Sequence, residues 1–361
     1  MISVVRNSVL HDSRVKKIAK SLERFNCDVN VIGLQDGRKH EEQAPASYSV
    51  MELRTKAWPA MLPFQIIKYV EWLIKICLHV KNKKIDLIIC NDLNPLLICV
   101  IIKKMKGARL IYDAHELETE THHLANSPMR KMLMKFYERQ LIAQVDQCIT
   151  VSELIARWYE REYRVKRVAV IKNKPISELF PLQSATSSTN HKTFVFIGAI
   201  REGKGVDYAC KQVAMNPQCK FKIVGDGELR SGLEDRYAQA HNIFFVGHKR
   251  EERIKDELDG WSIGIVATKG TSLSRHFSLP NKVYQYLCSG MPVIVPSLPE
   301  LEALVRKYDI GWVADLDSHH RTPLQSIEYD DFLRKRKNVL ALRQRFTWEY
   351  EEEKFRRLLQ L

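Results

Sequence analysis

The feature that most constrains the fold is a regular alternation of short apolar runs with stretches of helical period. In the first half, runs such as "DVNVIGL", "IDLIIC" and "RLIYDA" are separated by helical segments that include residues 64–80 and 127–143. In the second half, "TFVFIGAI", "KFKIVGDG", "SIGIVA" and "PVIVP" alternate with predicted helices that include 228–240 and 250–258. Strands separated by helices of this length predict βαβ units and parallel sheets.

The length of the chain predicts two domains. Its 361 residues exceed the roughly 250–300 at which one core stops growing. A polar, Ser/Thr-rich stretch without periodicity, "PLQSATSSTNHK", interrupts the alternation. We therefore predict an α/β protein with two Rossmann-like parallel-sheet domains facing across a cleft: a domain at 1–175, a linker at 176–192, a domain at 193–345 and a C-terminal helix at 346–361.

The net charge of the chain indicates which classes of partner it can bind. A formal net charge of +14 favours phosphates, nucleic acid or an acidic membrane face. The sequence has no basic stripe interleaved with aromatic residues and no helix-turn-helix signature, so we predict no nucleic-acid partner. The eight cysteines form no C-x-x-C pair, and the N-terminus lacks a long apolar core. We expect buried free thiols in a cytoplasmic protein.

A glycine-rich turn follows the first strand of the second domain. In "TFVFIGAIREGKGVD", Gly198, Gly203 and Gly205 surround Arg201 and Lys204 before a predicted helix. Glycines let a backbone approach a phosphate, and a helix N-terminus adds partial positive charge. The alternative is a surface turn with a solvated Arg and Lys. The next strand ends in a similar but weaker Gly-Asp-Gly turn at Asp226.

A second turn of this kind lies in "SLPNKVYQYLCSGMPVIVP". We expect Pro280 and Asn281 to form a tight turn, with Asn281 capping a helix that starts at Lys282. The N–H groups of residues 280–283 are then expected to be free for an anion. Two such turns in one domain suit a diphosphate.

A third cluster follows the strand "RLIYDA" in the first domain. The strand leads into Asp113, His115 and Glu116. A His at the carboxyl end of a strand suits a hydrogen bond to a substrate hydroxyl or a departing oxygen. The alternatives are a capping Asp with a satisfied His, or a metal site. Because Thr119 stands where H-E-x-x-H needs a second His, we expect no metal.

The order of these motifs resembles the GT-B glycosyltransferases, in particular the retaining family 4 of bacterial surface-polysaccharide synthesis. "HDSRVKKIAKSL", "LIYDAHELE", "CITVSELIARWY", "VAVIKNKP", "FIGAIREGKGVD", "FKIVGDGE" and the "SLPNK" segment are similar to that family's motifs. "FTWEYEEEKF" is similar to its terminal helix, which crosses back to the first domain.

The resemblance implies a glycosyltransferase (a hexosyltransferase) with a nucleotide-sugar donor in the second domain and a glycan or lipid-linked acceptor in the first. It implies that Lys204, assisted by Arg201, contacts the donor phosphates, that His115 faces the donor sugar, and that no metal or other cofactor is needed. The predicted catalytic residues are His115 and Lys204. The predicted substrate-binding residues are Arg201, Gly198, Gly203, Gly205, Asp226, Pro280, Asn281, Lys282 and Gln285.

The chain departs from the family pattern at three positions. The family's Glu-x7-Glu pair falls on Phe277 and Gln285, and Ala199 stands where an Arg often follows the first glycine of the phosphate turn. Gln285 can still hydrogen-bond a ribose hydroxyl without charge. A weakened or non-catalytic nucleotide- or glycan-binding protein, and a sugar-nucleotide epimerase, therefore remain alternatives.

Two amphipathic helices suggest contact with a membrane. Residues 66–80 and 127–143 combine apolar faces with basic side chains. The alternative is that each helix covers a sheet. We predict peripheral contact with the anionic inner face of the cytoplasmic membrane, which suits a lipid-linked acceptor.

Overall fold

The computed structural model divides into two compact units. Unit 1 comprises Met1–Ile171 and Lys354–Leu361, and unit 2 comprises Lys172–Glu353. The structure describes residues 1–9, 12–35, 48–59, 61–125, 127–182, 192–258, 262–314 and 323–360. The predicted domain limits stay predictions, and most of the predicted linker, residues 183–191, lies outside the described residues.

Unit 1 contains a seven-stranded sheet in which every described pairing is parallel, as the alternation predicts. The order across the sheet is β3-β2-β1-β4-β5-β6-β7. Its strands are β1 (Ile2–Val4), β2 (Asn30–Leu34), β3 (Ser49–Leu53), β4 (Leu87–Asn91), β5 (Arg109–Ala114), β6 (Gln147–Thr150) and β7 (Val168–Val170).

Helices connect these strands. They are α1 (Ser13–Arg24), α2 (Leu62–Val80), α3 (Leu96–Lys106), α4 (His122–Ala125), α5 (Pro128–Ile142) and α6 (Glu153–Tyr163). Side chains cap two of them, because Asp12 accepts from the first turn of α1 and Ser152 from the first turn of α6. None of the helices in the described part of the chain is long and apolar enough to cross a bilayer.

The strand order of unit 1 reverses between β1 and β4. Here the chain winds outward in both directions, and the loops that leave the carboxyl ends of the two strands separate. The Asn91 amide ties the two strands together by donating to the Ser3 hydroxyl at 2.9 Å and the Val4 carbonyl at 3.0 Å. The unit 1 residues considered below lie at this carboxyl edge.

Unit 2 contains a six-stranded sheet of the same kind. The order is β10-β9-β8-β11-β12-β13, again with parallel pairings, and it reverses between β8 and β11. Its strands are β8 (Lys192–Ile197), β9 (Cys219–Val224), β10 (Ile243–Gly247), β11 (Ser262–Ile265), β12 (Val293–Pro296) and β13 (Gly311–Ala314).

A tyrosine anchors one helix of unit 2 across the point where the strand order reverses. The Tyr286 hydroxyl accepts from the Ile197 N–H at 2.8 Å and donates to the Ile265 carbonyl at 3.3 Å. Gly264 makes room for it, since a Cβ there would overlap the Tyr286 ring. The helices of unit 2 are α7 (Val206–Ala214), α8 (Arg230–Arg236), α9 (Leu273–His276), α10 (Asn281–Cys288), α11 (Pro299–Tyr308), α12 (Pro323–Ser326), α13 (Tyr329–Leu342) and α14 (Trp348–Leu359), whose residues from Lys354 belong to unit 1.

Two predicted helices differ in the structure. The segment predicted at 250–258 is a 3-10 helix over Glu251–Glu257, because the stretch is almost wholly charged and its apolar residues are the buried Ile254 and Leu258. The helix predicted at 228–240 covers Arg230–Arg236 only, and it contains Gly232, which weakens a helix interior. The alternation also missed β3, whose residues are exposed or half-buried, and β13, which has four residues.

Candidate functional site

In unit 1, three elements bring charged side chains together at the carboxyl edge of the sheet. Arg14 comes from α1, Asp113 from the end of β5, and Asp92 from the turn after β4. Asp92 adopts a left-handed backbone with φ of 66°, which Asp tolerates, and its N–H donates to the Asp113 carbonyl at 2.9 Å. His115 lies between the two carboxylates.

Arg14 and Asp113 form a buried, bidentate ion pair. The guanidinium donates to the two Asp113 carboxylate oxygens at 2.8 Å each and to the Ile171 carbonyl at 2.7 Å. Burial by itself raises the pKa of Asp113, but the charges of Arg14 and then His115 lower it to about 2. Both side chains are almost inaccessible to solvent, so this pair holds α1 against β5.

Each ring nitrogen of His115 faces a carboxylate. Its Nδ1 lies 3.2 Å from Asp92 Oδ2, its Nε2 lies 3.4 Å from Asp113 Oδ2, and its backbone N–H donates to Asp92 Oδ1 at 3.0 Å. Burial opposes the charged ring, yet Asp92 and Asp113 together raise the pKa of His115 well above its ordinary value. The two carboxylates therefore favour the protonated form of the ring, in which both nitrogens are hydrogen-bond donors.

The neighbouring acidic residues do not form a metal-binding group. Burial, followed by the charges of Asp92, Glu116 and Glu138, raises the pKa of Glu118 to about 7. Within the ranges that the structure describes, no three His, Cys, Asp or Glu side chains are placed to hold a metal ion.

In unit 2, the glycine-rich turn after β8 has the backbone that its sequence predicts. Gly198, Gly203 and Gly205 have φ of 128°, 75° and 66°, a region that favours glycine. A Cβ at Gly205 would overlap the Ala267 carbonyl oxygen, so the turn packs directly on the chain that follows β11. The turn therefore lies at the point where the strand order of this sheet reverses, the usual ligand position in open α/β sheets.

Cationic side chains surround this turn. The Lys282 ammonium lies 3.3 Å from the place that a Cβ of residue 198 would occupy, and Arg275 Nη1 lies 2.6 Å from that of residue 203. Lys282 Nζ also stands 3.6 Å above the centre of the Phe196 ring. Burial and then the charge of Lys204 hold the pKa of Lys282 well below its ordinary value. Lys282 makes no hydrogen bond or ion pair with any residue the structure describes, so it lacks an anionic partner there.

The helix beside these cations starts differently from the prediction. α10 begins at Asn281, Pro280 is its cap residue, and no side chain caps it, so the predicted cap by Asn281 is wrong. The predicted set of free N–H groups at 280–283 is also too large. Proline has no N–H, and the Val283 N–H donates to the Pro280 carbonyl at 3.1 Å. The N–H groups of Asn281 and Lys282 remain for a ligand.

The other predicted residues lie around the same turn. The Asp226 carbonyl accepts from the Ile200 N–H at 2.9 Å, while its exposed carboxylate accepts from the Gly227 N–H and pairs with Arg230 at 3.8 Å. Arg201 is exposed, and its carbonyl accepts from the Lys204 N–H at 3.2 Å. Gln285 is half-buried, one turn of α10 after Asn281.

Sequence reasoning missed Asp92, Arg14 and Arg275 as candidate functional residues. Asp92 directly follows a strand, as Asp113 ends one, so the same rule would have found it. Arg14 was part of a quoted motif but received no role. Nothing in the local pattern marks Arg275, which approaches Gly203 only through the tertiary fold.

Family models match both units. Residues 13–173 match Glycosyltransferase Family 4, and residues 191–321 match Glycosyl transferases group 1. Together the two matches cover most of the chain. The chain belongs to the glycosyltransferases that these two family models describe.

Relatives and solved structures agree with this family. Over 104 residues, 28% of its length, the glycosyltransferase is 30% identical to the Salmonella typhi Vi polysaccharide biosynthesis protein VipC/TviE, and this match spans 17% of that relative. Sucrose-phosphate synthase from Thermosynechococcus elongatus is 14% identical with a TM-score of 0.79, over 99% of this chain and 98% of that one. Anabaena Alr3699/HepE in complex with UDP-glucose is also 14% identical, with a TM-score of 0.73 over 99% of each chain. These structural similarities show that the glycosyltransferase has the GT-B fold.

Proposed function

We propose that this glycosyltransferase moves a hexose from a nucleoside-diphosphate sugar to a glycan or lipid-linked acceptor in the synthesis of a surface polysaccharide (O-antigen, capsule or lipopolysaccharide). Transfer retains the anomeric configuration, as the family resemblance implies, and requires no metal cofactor. The protein works in the cytoplasm, in peripheral contact with the inner face of the membrane.

The observation that carries the proposal is the Lys282 ammonium beside the glycine turn of unit 2, which has no anionic partner among the residues that the structure describes. A cation at low pKa, with Lys204 and Arg275 nearby, is electrostatically unfavourable until an anion binds. The N–H groups of Asn281 and Lys282 at the start of α10 add donors for the same anion. A diphosphate supplies two adjacent anionic groups for these two sets of donors.

The comparisons support a nucleotide-sugar donor and a role in polysaccharide synthesis. The similarly folded Anabaena protein is described in complex with UDP-glucose, and the Salmonella typhi relative is described as a polysaccharide biosynthesis protein. The base, the sugar and the linkage are left to experiment.

The chemistry asked of these residues is stabilisation of a leaving group. The bond between the anomeric carbon and the diphosphate oxygen breaks, the acceptor oxygen bonds to the anomeric carbon in its place, and the acceptor hydroxyl passes its proton to an oxygen of the departing diphosphate. Charge develops on the departing diphosphate, and Lys204, Lys282 and Arg275 offset that charge. His115 remains the predicted contact to the donor sugar, as a hydrogen-bond donor.

A thermal-shift screen with UDP, GDP, ADP and their sugars tests the donor site. We expect one diphosphate to stabilise the protein and Lys204→Ala to lose most of that shift. Labelled donors then test transfer, since the enzyme should release the diphosphate when an acceptor is present. Absence of both binding and release with every donor would contradict the proposal.

A second candidate, a nucleotide-binding protein with little or no turnover, is favoured by Phe277 and Gln285 at the family's glutamate positions. Saturable nucleotide binding, without diphosphate release for any acceptor, would support it over the first.

A further inference from the structure

The outer surface of α5 and the end of α6 carries a groove that sugar transfer does not explain. One part encloses about 380 Å³ and the adjoining part about 590 Å³, and both parts share Arg139 and Glu162. The first is otherwise lined by Pro128, Lys131, Met132, Lys135 and Phe136, and the second by Arg161, Tyr163 and Arg164.

The groove carries net positive charge. Its five cations are Lys131, Lys135, Arg139, Arg161 and Arg164. Two carboxylates oppose them. Glu120 accepts from Lys131 at 2.5 Å and Lys135 at 2.8 Å, and Glu162 pairs with Lys135 at 3.2 Å and Arg139 at 3.6 Å.

The two remaining cations of the groove are available. Arg161 and Arg164 are exposed, and their side chains make no hydrogen bond or ion pair with any residue of the described ranges. Lys166 and Arg167 follow directly and are also exposed. This end of the groove therefore attracts an anion.

Apolar side chains stand beside these charges. On α5, Met129, Met132, Leu133 and Phe136 are exposed, with Met129 at 70% and Phe136 at 62% of their full exposure. Their spacing places them along the helix next to Lys131 and Lys135. Exposed apolar side chains in a group of this size mark an interaction surface.

Helix α2 also carries exposed apolar side chains. Burial and then the nearby Tyr137 hydroxyl of α5 raise the pKa of Tyr69 on α2, so the two helices approach each other at these residues. On α2, Trp72, Ile76 and Val80 face the core, while a second apolar stripe is exposed. Its members are Ile66, Ile67, Val70, Ile74 and Leu78.

We propose that this groove binds the phosphate headgroup of an anionic phospholipid, with the apolar side chains of α5 and α2 inserted at the membrane interface. Charge complementarity favours this occupant, because the groove combines apolar side chains with arginines that have no ion pair among the described residues, as a phospholipid combines acyl chains with a phosphate. The inference deepens the membrane contact in the proposed function. It does not depend on sugar transfer, so the two fail separately.

Flotation with vesicles tests the proposal. At low salt, the full-length protein is expected to bind vesicles of phosphatidylcholine with phosphatidylglycerol and to leave vesicles of phosphatidylcholine alone. The double variant Arg161→Gln/Arg164→Gln should bind about thirtyfold more weakly. Met132→Ser/Phe136→Ser, which keeps every charge, should weaken binding about tenfold.

A matched control separates the groove from net charge. Lys211→Gln/Lys337→Gln removes two exposed charges from unit 2 and should change vesicle affinity less than about threefold. All variants should keep the thermal shift with the diphosphate that stabilises the wild type. Equal loss in control and groove variants, or no binding of anionic vesicles, would overturn the proposal. So would self-association that Met132→Ser/Phe136→Ser abolishes, since that outcome assigns the face to a second copy.

Discussion

The charged groups at the two sheet edges differ in how their charges are compensated. In unit 1, Arg14, Asp113, His115 and Asp92 form a closed set in which each cation faces a carboxylate. In unit 2, Lys282 has no anionic partner in the described part of the chain, and after burial the charge of Lys204 also lowers its pKa. The charges of the first set are compensated within the protein, whereas the second becomes favourable only when an anion arrives. We infer that the first set fixes the orientation of His115 and that the second binds the diphosphate.

The largest expected effect comes from removing one charge of the compensated set in unit 1. Arg14→Met leaves Asp113 buried without its partner, which should destabilise unit 1 by about 3–5 kcal/mol. Hydrogen exchange of residues 109–114 measures this locally, which matters because a protein of two units need not unfold in one step.

The double variant Arg14→Met/Asp113→Leu is the control for that prediction. It removes both charges, so it should recover much of the lost protection. If the double variant is as unstable as Arg14→Met, the loss comes from packing around Arg14, and the comparison between the two units loses its basis.

Removing Lys282, the uncompensated cation, should affect ligand binding and not the stability of the unit. Lys282→Met is expected to leave the stability of unit 2 unchanged or raised, because a methionine needs no partner above the Phe196 ring. Its affinity for the preferred nucleoside diphosphate should fall by about 1.5–3 kcal/mol, the value of a hydrogen bond to a charged group. Titration calorimetry and hydrogen exchange of residues 192–197 measure the two effects.

The pH dependence of binding sharpens the same test. The pKa of Lys282 is low in the free protein, and a bound diphosphate should raise it. Binding should therefore take up a proton, and affinity should fall as pH rises from the free pKa towards the bound pKa. The measurement belongs above about pH 7, where the terminal phosphate of the nucleotide is ionised. A dependence that persists unchanged in Lys282→Met would assign the proton to another group.

The fold could be predicted from the sequence because its signals are local. Strands such as β4 and β5 are mostly apolar and almost fully buried, which is typical of parallel strands covered on both faces. The edge strand β3 carries no such signal, since its residues are exposed or half-buried. The short segment at 250–258 has only two apolar residues, Ile254 and Leu258, which are too few to indicate an α-helix.

The candidate residues could be predicted only in part. Glycines at positive φ, such as Gly203 and Gly205, appear in the sequence as a turn before a helix, so the position of the turn was predictable. The lack of an anionic partner for Lys282 among the described residues depends on the tertiary fold. So does the second carboxylate on His115, since Asp92 lies 23 residues away from it in the chain. The turn at Pro280 was predicted, but its donors were counted wrongly. A proline at the cap position has no N–H to offer a ligand.

The smallest expected effect concerns Gln285, which stands where the family usually has a glutamate. Gln285→Glu restores a carboxylate one turn along α10 from Asn281. If this side chain contacts a ribose hydroxyl, a charged acceptor makes a stronger hydrogen bond than an amide, and affinity for the diphosphate should rise about threefold. The matched variant Gln285→Met should lower affinity by a similar factor while leaving the pH dependence from Lys282 intact. The added carboxylate also lies in the same helix as Lys282, which has no anionic partner among the described residues. A fall in affinity with Gln285→Glu would therefore mean that it competes with the diphosphate for those cations, and that glutamine at this position preserves them for the ligand.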